Sequence, residues 1–437
     1  MLAVTFGALL VLWCRDSNTA RPPRGCRSGM LARPDSDRAV TEQQRVRFNF
    51  RLDLACGALG ATFFAGSFMP VLVRRMGGSE LEVALILASG PIGHIIAPLP
   101  GYIYNRFPPA KVLASVGIAA RVVFVIGLLL ATSAISLSLA WVAFNIVALS
   151  SIASSTVLVQ RIYPDEQRGQ AMARVRMFAN LVGMGSVIAG GALLEIADVR
   201  SVLGASALIS FAAPLFLMFM RYEIDRDRRP MPSPIRLGSV ALQDTAFRRY
   251  LVATTFIGFG NAMGGTAYPI MLVDKFDAPT VLVGVIAAVQ SAATIAGYHF
   301  WGRRIDRGST VALLRGNALL MLLLPLTYLL APSAPYLLIG AVVAGVTNAM
   351  ADLAFFTSMI ELAGNRAGFY MAAQSFVLGV RATLAPFVAS ALLITVGAPV
   401  TLIAVIVCIA CGAFLVRGIR PAARTEALRV PAEAFAD

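Results

Sequence analysis

Apolar positions run along this chain in long blocks, not in the one-sided stripe of a soluble amphipathic helix. Twelve blocks reach or approach the roughly 20 residues that a helix needs to cross a hydrocarbon core. They fall near residues 50–73, 81–104, 110–132, 136–160, 173–196, 200–221, 248–273, 280–302, 309–331, 335–358, 367–395 and 399–417. Gly and Pro occur inside several of them, which helices in lipid tolerate. The polar gaps are short, with one exception. Residues 222–247 are charged and Pro-containing, and predict a linker between six-helix bundles at 49–221 and 248–418. Extensions at 1–48 and 419–437, expected to be cytoplasmic, flank the bundles.

Composition supports the same solvent. The 437 residues are 58% hydrophobic and 14% charged, with mean hydropathy +0.75. A soluble domain carries nearer one quarter charged residues. The formal net charge of +14 is therefore read by position. With the N-terminus inside, the inner gaps hold Arg106, Lys111, Arg161, Arg168, seven arginines of 221–249, Arg303, Arg304, Arg307 and Arg366. The outer gaps hold Arg74, Arg75, Arg200 and Lys275. That bias predicts both termini in the cytoplasm of a cell with a plasma (bacterial inner) membrane. Arginines scattered between apolar blocks are not the clustered polar surface of a nucleic-acid binder, so no nucleic acid is expected.

The segment "MLAVTFGALLVLWC" is too short to span and lacks the basic flank and cleavage site of a signal peptide. Met30 opens an ordinary polar tail, which gives the expectation that the native chain starts near there and that 1–29 is not native. Five cysteines include a CxxC at Cys408 and Cys411, read as small packing residues within an apolar run. Two histidines, His94 and His299, exclude a His-rich metal cluster. No P-loop, metal-ligand set or nucleophile–base pair appears, so no cofactor, no metal and no enzyme activity is expected.

The two halves repeat. "GSFMP" at Gly66 to Pro70 matches "GTAYP" at Gly265 to Pro269. "GYIYNRFPPAK" matches "GRRIDRGSTVA", pairing Gly101 with Gly302, Asn105 with Asp306 and Arg106 with Arg307. "RGQAM" from Arg168 matches "RAGFYM" from Arg366. All three offsets are near 200 residues, as expected of an internal six-plus-six duplication.

Twelve spans, a central linker and a G-x-x-x-D-R-x-G-like loop after the second and eighth spans resemble the major facilitator superfamily. The resemblance covers about 45–418 and implies an all-α integral membrane fold with two pseudo-symmetric six-helix halves. It also implies alternating access to a midplane site for a small-molecule substrate. The loop implies a cytoplasmic gate at Gly101, Asn105, Arg106, Gly302, Asp306 and Arg307. Asn105 stands where the family has an acid, so the charged part of that gate is expected in the second half. Asp306 is expected to cap the ninth helix or to pair with neighbouring arginines. The fifth span ends in Gly190-Gly191 like the exporter signature, but has Ser186-Val187 where that signature has Gly-Pro. That departure weakens a multidrug-exporter reading.

Ionisable residues inside the spans are costly and few. Asp53, His94 and Asp352 are the proton-coupling candidates. Arg381 suits an anionic or zwitterionic solute or a pair with Asp352. Asp53 is equally suited to a structural pair with Arg174 or Arg176, and Arg121 to a structural bond with backbone carbonyls. The amides Asn145, Asn261, Gln290, Asn348 and Gln374 suit either hydrogen bonds to a solute or helix–helix contacts. The sequence thus predicts a monomeric secondary transporter in the lipid bilayer, with coupling to protons or uniport both open. A non-transporting receptor or assembly factor of the same fold is the alternative.

Overall fold

The computed structural model describes residues 34–96, 107–222, 244–305, 309–363 and 367–419. The gate residues Gly101, Asn105, Arg106, Asp306 and Arg307, the linker stretch 223–243 and the terminal stretches 1–33 and 420–437 lie outside that set, as does the side chain of His94. Residues 34–44 belong to a separate unit, and the described residues from Arg45 onward form one compact unit. Its described elements are helical.

The first span is two pieces, α1 (Pro34–Ala61) and α2 (Ala65–Arg75). The break at Thr62–Phe64 turns Phe63 into a cluster with Phe124, Trp141 and Phe144, at ring separations of 5.1, 6.1 and 5.1 Å. Next come α3 (Glu80–Ile96), α4 (Pro109–Leu130), α5 (Ala134–Leu149), α6 (Ile152–Ile162), α7 (Asp165–Ile196), α8 (Val199–Ser210) and α9 (Ala212–Leu217). Beyond the linker lie α10 (Thr245–Asp274), α11 (Thr280–Ile305), α12 (Thr310–Met321), α13 (Leu323–Leu330), α14 (Leu337–Ala363) and α15 (Ala367–Leu415). The first ten predicted spans each overlap one of these helices or a consecutive pair, and the eleventh and twelfth share α15.

Among the described residues, eight stretches are long and apolar enough to cross a membrane. The fourth predicted span falls short because it breaks at Ser150–Ser151. The last stretch, Ala373–Leu415, contains parts of two predicted spans. A straight helix of 49 residues would be about 74 Å long at 1.5 Å per residue, over twice a bilayer core. Gly397, at φ 81° and ψ 173°, ends the first arm in a conformation that L-residues avoid, and Pro399 sits at the start of the second.

The turns at 76–79, 131–133, 197–198, 275–279 and 331–333 gather at one end of the bundle, the Arg-poor end. There the duplication is visible in the backbone. Gly77 (φ 83°) closes the turn after the first span, and Asp277 (φ 41°) closes its counterpart after the seventh. In the first copy Gly77 N–H donates to Arg74 and Gly78 N–H to Val73, a Schellman closure. The second uses Asp, one of the few side chains that tolerates positive φ.

Packing differs between the two ends. At the Arg-poor end one apolar cluster runs through both halves, joining Phe68, Met69, Leu72, Ile86 and Phe124 to Ala267, Met271, Val283, Ile286 and Leu337. Toward the Arg-rich end the described apolar residues form two separate clusters. One is built from 247–419, with Phe247, Tyr250 and Trp301. The other is built from 46–222, with Leu158, Ile162 and Tyr163. The halves are therefore welded at one end, and their cores are distinct at the other.

Candidate functional site

The weld is polar as well as apolar. Arg74, at the end of the first span, donates from Nε to Asp274 Oδ1 at 2.9 Å and from Nη2 to Oδ2 at 2.5 Å. The two residues are 200 positions apart, the spacing of the repeat. Arg74 also meets Glu80 at 3.0 Å and donates to the Gly78 carbonyl at 3.0 Å. Arg75 donates to the Ala278 carbonyl, again across the halves. Glu195, at the end of α7, accepts from Thr280 N and Thr280 Oγ1, each at 2.5 Å, and from Val281 N at 3.3 Å. A carboxylate here neutralises the unpaired N–H groups that open α11.

Glycines let these helices touch. A Cβ on Gly191 would lie 2.7 Å from the Thr280 carbonyl oxygen, and one on Gly284 would lie 2.7 Å from that of Val187. The neighbouring Gly190 faces the ring of Phe64 on the first span. The Gly190-Gly191 pair thus lets α7 approach both α11 and the first span. Along the other seam α3 packs against α15.

All four cations of the Arg-poor gaps are engaged. Besides Arg74 and Arg75, Arg200 donates to the Ala131 carbonyl, and Lys275 Nζ donates to Tyr328 and Leu329 carbonyls at 3.1 and 3.3 Å. Each is a structural clamp, which accounts for its place in gaps otherwise poor in Arg and Lys.

The second constellation lies inside the second half, where α10 faces α14 and α15. Tyr250, Thr254 and Gly258 are spaced by four along α10, and Gln374 and Arg381 by seven on α15, so each set shares one face. Arg381 donates from Nη1 to the Thr254 carbonyl. Its guanidinium lies against Gly258, where a Cβ would stand 2.6 Å from Nη2 and 2.7 Å from Nε. Tyr250 Oη shares a hydrogen bond with Ser358 Oγ at 2.7 Å and accepts from Gln374 Nε2 at 3.2 Å. Gln374 is 6% exposed, and its Oε1 has no donor among the described residues.

Several expected pairings are replaced by others. Arg381 meets a backbone carbonyl, not Asp352. Asp352 Oδ2 accepts from Tyr298 Oη at 2.6 Å instead. Asp53 Oδ2 accepts from Tyr163 Oη at 2.8 Å, and no bond to Arg174 or Arg176 is found among the described residues. Arg121 does make the expected backbone bond, donating to the Gly117 carbonyl, and it donates to Ser210 Oγ as well, both at 2.9 Å. The expectation for Asp306 lies outside the described residues; among those, the N-terminus of α12 is capped by Glu361. Its Oε2 accepts from Thr310 N at 2.8 Å, and its Oε1 accepts from Ser309 Oγ. Glu361 sits one helix away in space, where no local reading of the 302–308 loop reaches it. Cys408 Sγ donates to the Phe256 carbonyl, and both Cys408 and Cys411 are free thiols.

Of the amides, Asn145 donates to the Trp141 carbonyl of its own helix at 3.0 Å. Asn261, Gln290 and Asn348 are half-buried and make no side-chain hydrogen bond among the described residues. Gln290 and Asn348 lie near the tight crossing of α11 and α14, where a Cβ on Gly345 would meet the Ala293 side chain at 2.5 Å. Gly302 lies in the last turn of α11 with open space beside it. Sequence reasoning missed Tyr250, Thr254 and Ser358, because hydroxyls in apolar helices raise no alarm. The four-residue spacing of Tyr250, Thr254 and Gly258 was the available signal.

A helical bundle with membrane-length spans, a duplicated backbone and ionisable groups between its halves defines a multi-pass membrane protein. A family model described as Major Facilitator Superfamily matches residues 54–260 and 250–435. The chain belongs to the major facilitator superfamily, and it is a secondary transporter of that class. Two solved structures share the fold. The nucleoside transporter NupG aligns at TM-score 0.67 and 10% identity, over 84% of this chain and 99% of that one. A bacterial homologue of the human lysosomal transporter Spinster, in an inward-facing and unoccupied conformation, aligns at 0.61 and 14% identity, over 86% and 97%. No curated protein matches the sequence.

Proposed function

We propose that this transporter moves an anionic or zwitterionic small solute by alternating access between halves at 49–221 and 248–418. Arg381 carries the reading. A guanidinium buried among membrane helices is costly without a counter-charge. Among the described residues Arg381 has one backbone carbonyl and no carboxylate. A carboxylate or phosphate on the solute supplies the missing charge, and a bidentate fork suits either group. Gln374 Oε1 offers an acceptor on the same helix face to a donor on the solute. Asn261, Gln290 and Asn348 extend the supply of unpaired hydrogen-bonding groups.

The Arg-poor end is the outer face in this reading, because the Arg-rich turns face the cytoplasm. The conformation is then closed outside, held by Arg74–Asp274 and by Glu195 on α11. Asp53 and Asp352 each accept a single tyrosine hydroxyl and meet no cation among the described residues. They are the carboxylates positioned to take up a proton for coupling, with His94 as a third candidate. Counterflow of a panel of labelled anions and zwitterions in proteoliposomes tests the reading. Uptake of at least one, lost in Arg381→Ala, supports it. Uptake of neutral solutes alone, unaffected by Arg381→Ala, overturns it.

A further inference from the structure

We propose a binding site for an anionic phospholipid in the groove between the start of α10 and the end of α15, remote from Arg381. The groove has a volume of about 720 Å³ and is lined by Thr245, Arg248, Arg249, Val252, Phe414, Leu415 and Arg417. Its composition is layered. Arg248 and Arg249 open the seventh span, and Arg417 closes the twelfth, so three cations meet at one membrane edge. Deeper along the same helices Val252, Phe414 and Leu415 are 49%, 66% and 39% exposed. Cations at headgroup depth above exposed apolar side chains at acyl depth match a charged lipid in both parts.

The charges of Arg248 and Arg417 are not cancelled by the lining residues. None of them is acidic. Asp244, the acid next to the groove in sequence, is already committed. Its Oδ1 accepts from Ala246 N and Phe247 N at 2.8 and 3.2 Å, and its Oδ2 accepts from Tyr370 Oη at 3.0 Å. Arg248 touches Thr245 Oγ1 only at 3.4 Å, and Arg417 lies 5.5 Å from the Phe414 ring centroid. Both interactions leave guanidinium N–H groups for phosphate oxygens. A soluble phosphate would satisfy the arginines but not cover Val252, Phe414 and Leu415, and a neutral lipid would do the reverse. The site joins the two ends of the second half, so an occupied lipid tethers the seventh span to the twelfth.

The test uses the full-length protein in mixed micelles containing equal phosphatidylglycerol and phosphatidylcholine, with retained lipid counted by native mass spectrometry. The wild type retains phosphatidylglycerol at least tenfold over phosphatidylcholine. R248Q and R417Q each lower that preference by about fivefold, the effect expected of one basic residue at a lipid surface. R248Q/R249Q/R417Q abolishes it while unfolding at the wild-type temperature in phosphatidylcholine. An unchanged preference in the triple variant overturns the proposal. Full competition by millimolar glycerol 3-phosphate also overturns it, by showing a free-anion site. A preference that appears only after Glu426, Glu433 and Asp437 are neutralised overturns it too, since the C-terminal tail would then be the occupant.

Discussion

Removing the Arg74 guanidinium should loosen the Arg-poor end without unfolding the bundle. The pair to Asp274 is two-pronged, at 2.9 and 2.5 Å, but the side chains are 20% and 43% exposed. Hydrogen bonds to charged groups contribute about 1.5–3 kcal/mol when sheltered, and exposed ion pairs about 0.2–1 kcal/mol. Partial exposure places this latch near 1 kcal/mol, which is about a fivefold change in a two-state population. The assay is alkylation of Ala267→Cys, in a background lacking the native cysteines, by a membrane-impermeant maleimide added outside. Ala267 is fully buried in the cluster that joins the halves, so it reacts only when that end opens. Arg74→Ala should raise the labelling rate about fivefold, and Asp274→Ala by a similar factor. Because the two residues act as one contact, the double variant should label no faster than Arg74→Ala. An unchanged rate in Arg74→Ala, or single effects that simply multiply in the double variant, would refute the latch.

Further expectations follow from the second half. Gly258→Ala puts a methyl where the Arg381 guanidinium lies, and the flexible side chain yields more readily than the helix does. Stability should change by less than about 1 kcal/mol, while affinity for an anionic ligand falls about tenfold by calorimetry. Wild-type affinity would show that the Gly258 socket does not set Arg381. Glu361→Ala uncaps α12 and should lower stability by about 1 kcal/mol in reversible unfolding, the usual worth of a helix cap. No change would mean that water replaces the carboxylate. Asp352→Asn keeps the hydrogen bond from Tyr298 but removes the charge. It should abolish stimulation of uptake by a pH gradient and leave solute counterflow intact; retained stimulation would exclude Asp352 from coupling.

Span positions were legible in the sequence because lipid selects long apolar blocks whatever their contacts. The duplication was legible from motifs at a 200-residue offset, and the backbone repeats it at Gly77 and Asp277. Arg381 and Asp352 stood out because a charge in an apolar run is rare. Their partners did not, since Thr254 contributes only a carbonyl and Tyr298 lies on another helix. Glu361 caps α12 through a contact 51 residues away in the chain, and nothing in the loop "WGRRIDRGST" points to it. Residues 74–80 and 274–280 looked like plain connecting turns. Only the approach of the two repeats turns Arg74, Asp274 and Glu80 into a latch.

The central claim is that Arg381, set among membrane helices with no carboxylate partner among the described residues, receives the anionic group of the transported solute. Thermal stability of the purified wild type and of Arg381→Ala, measured against a panel of anionic, zwitterionic and neutral metabolites at several pH values, tests it most directly. The account predicts that at least one anion or zwitterion raises the wild-type midpoint and that Arg381→Ala loses that gain. Stabilisation by neutral solutes alone, or an equal gain in both proteins, would contradict it.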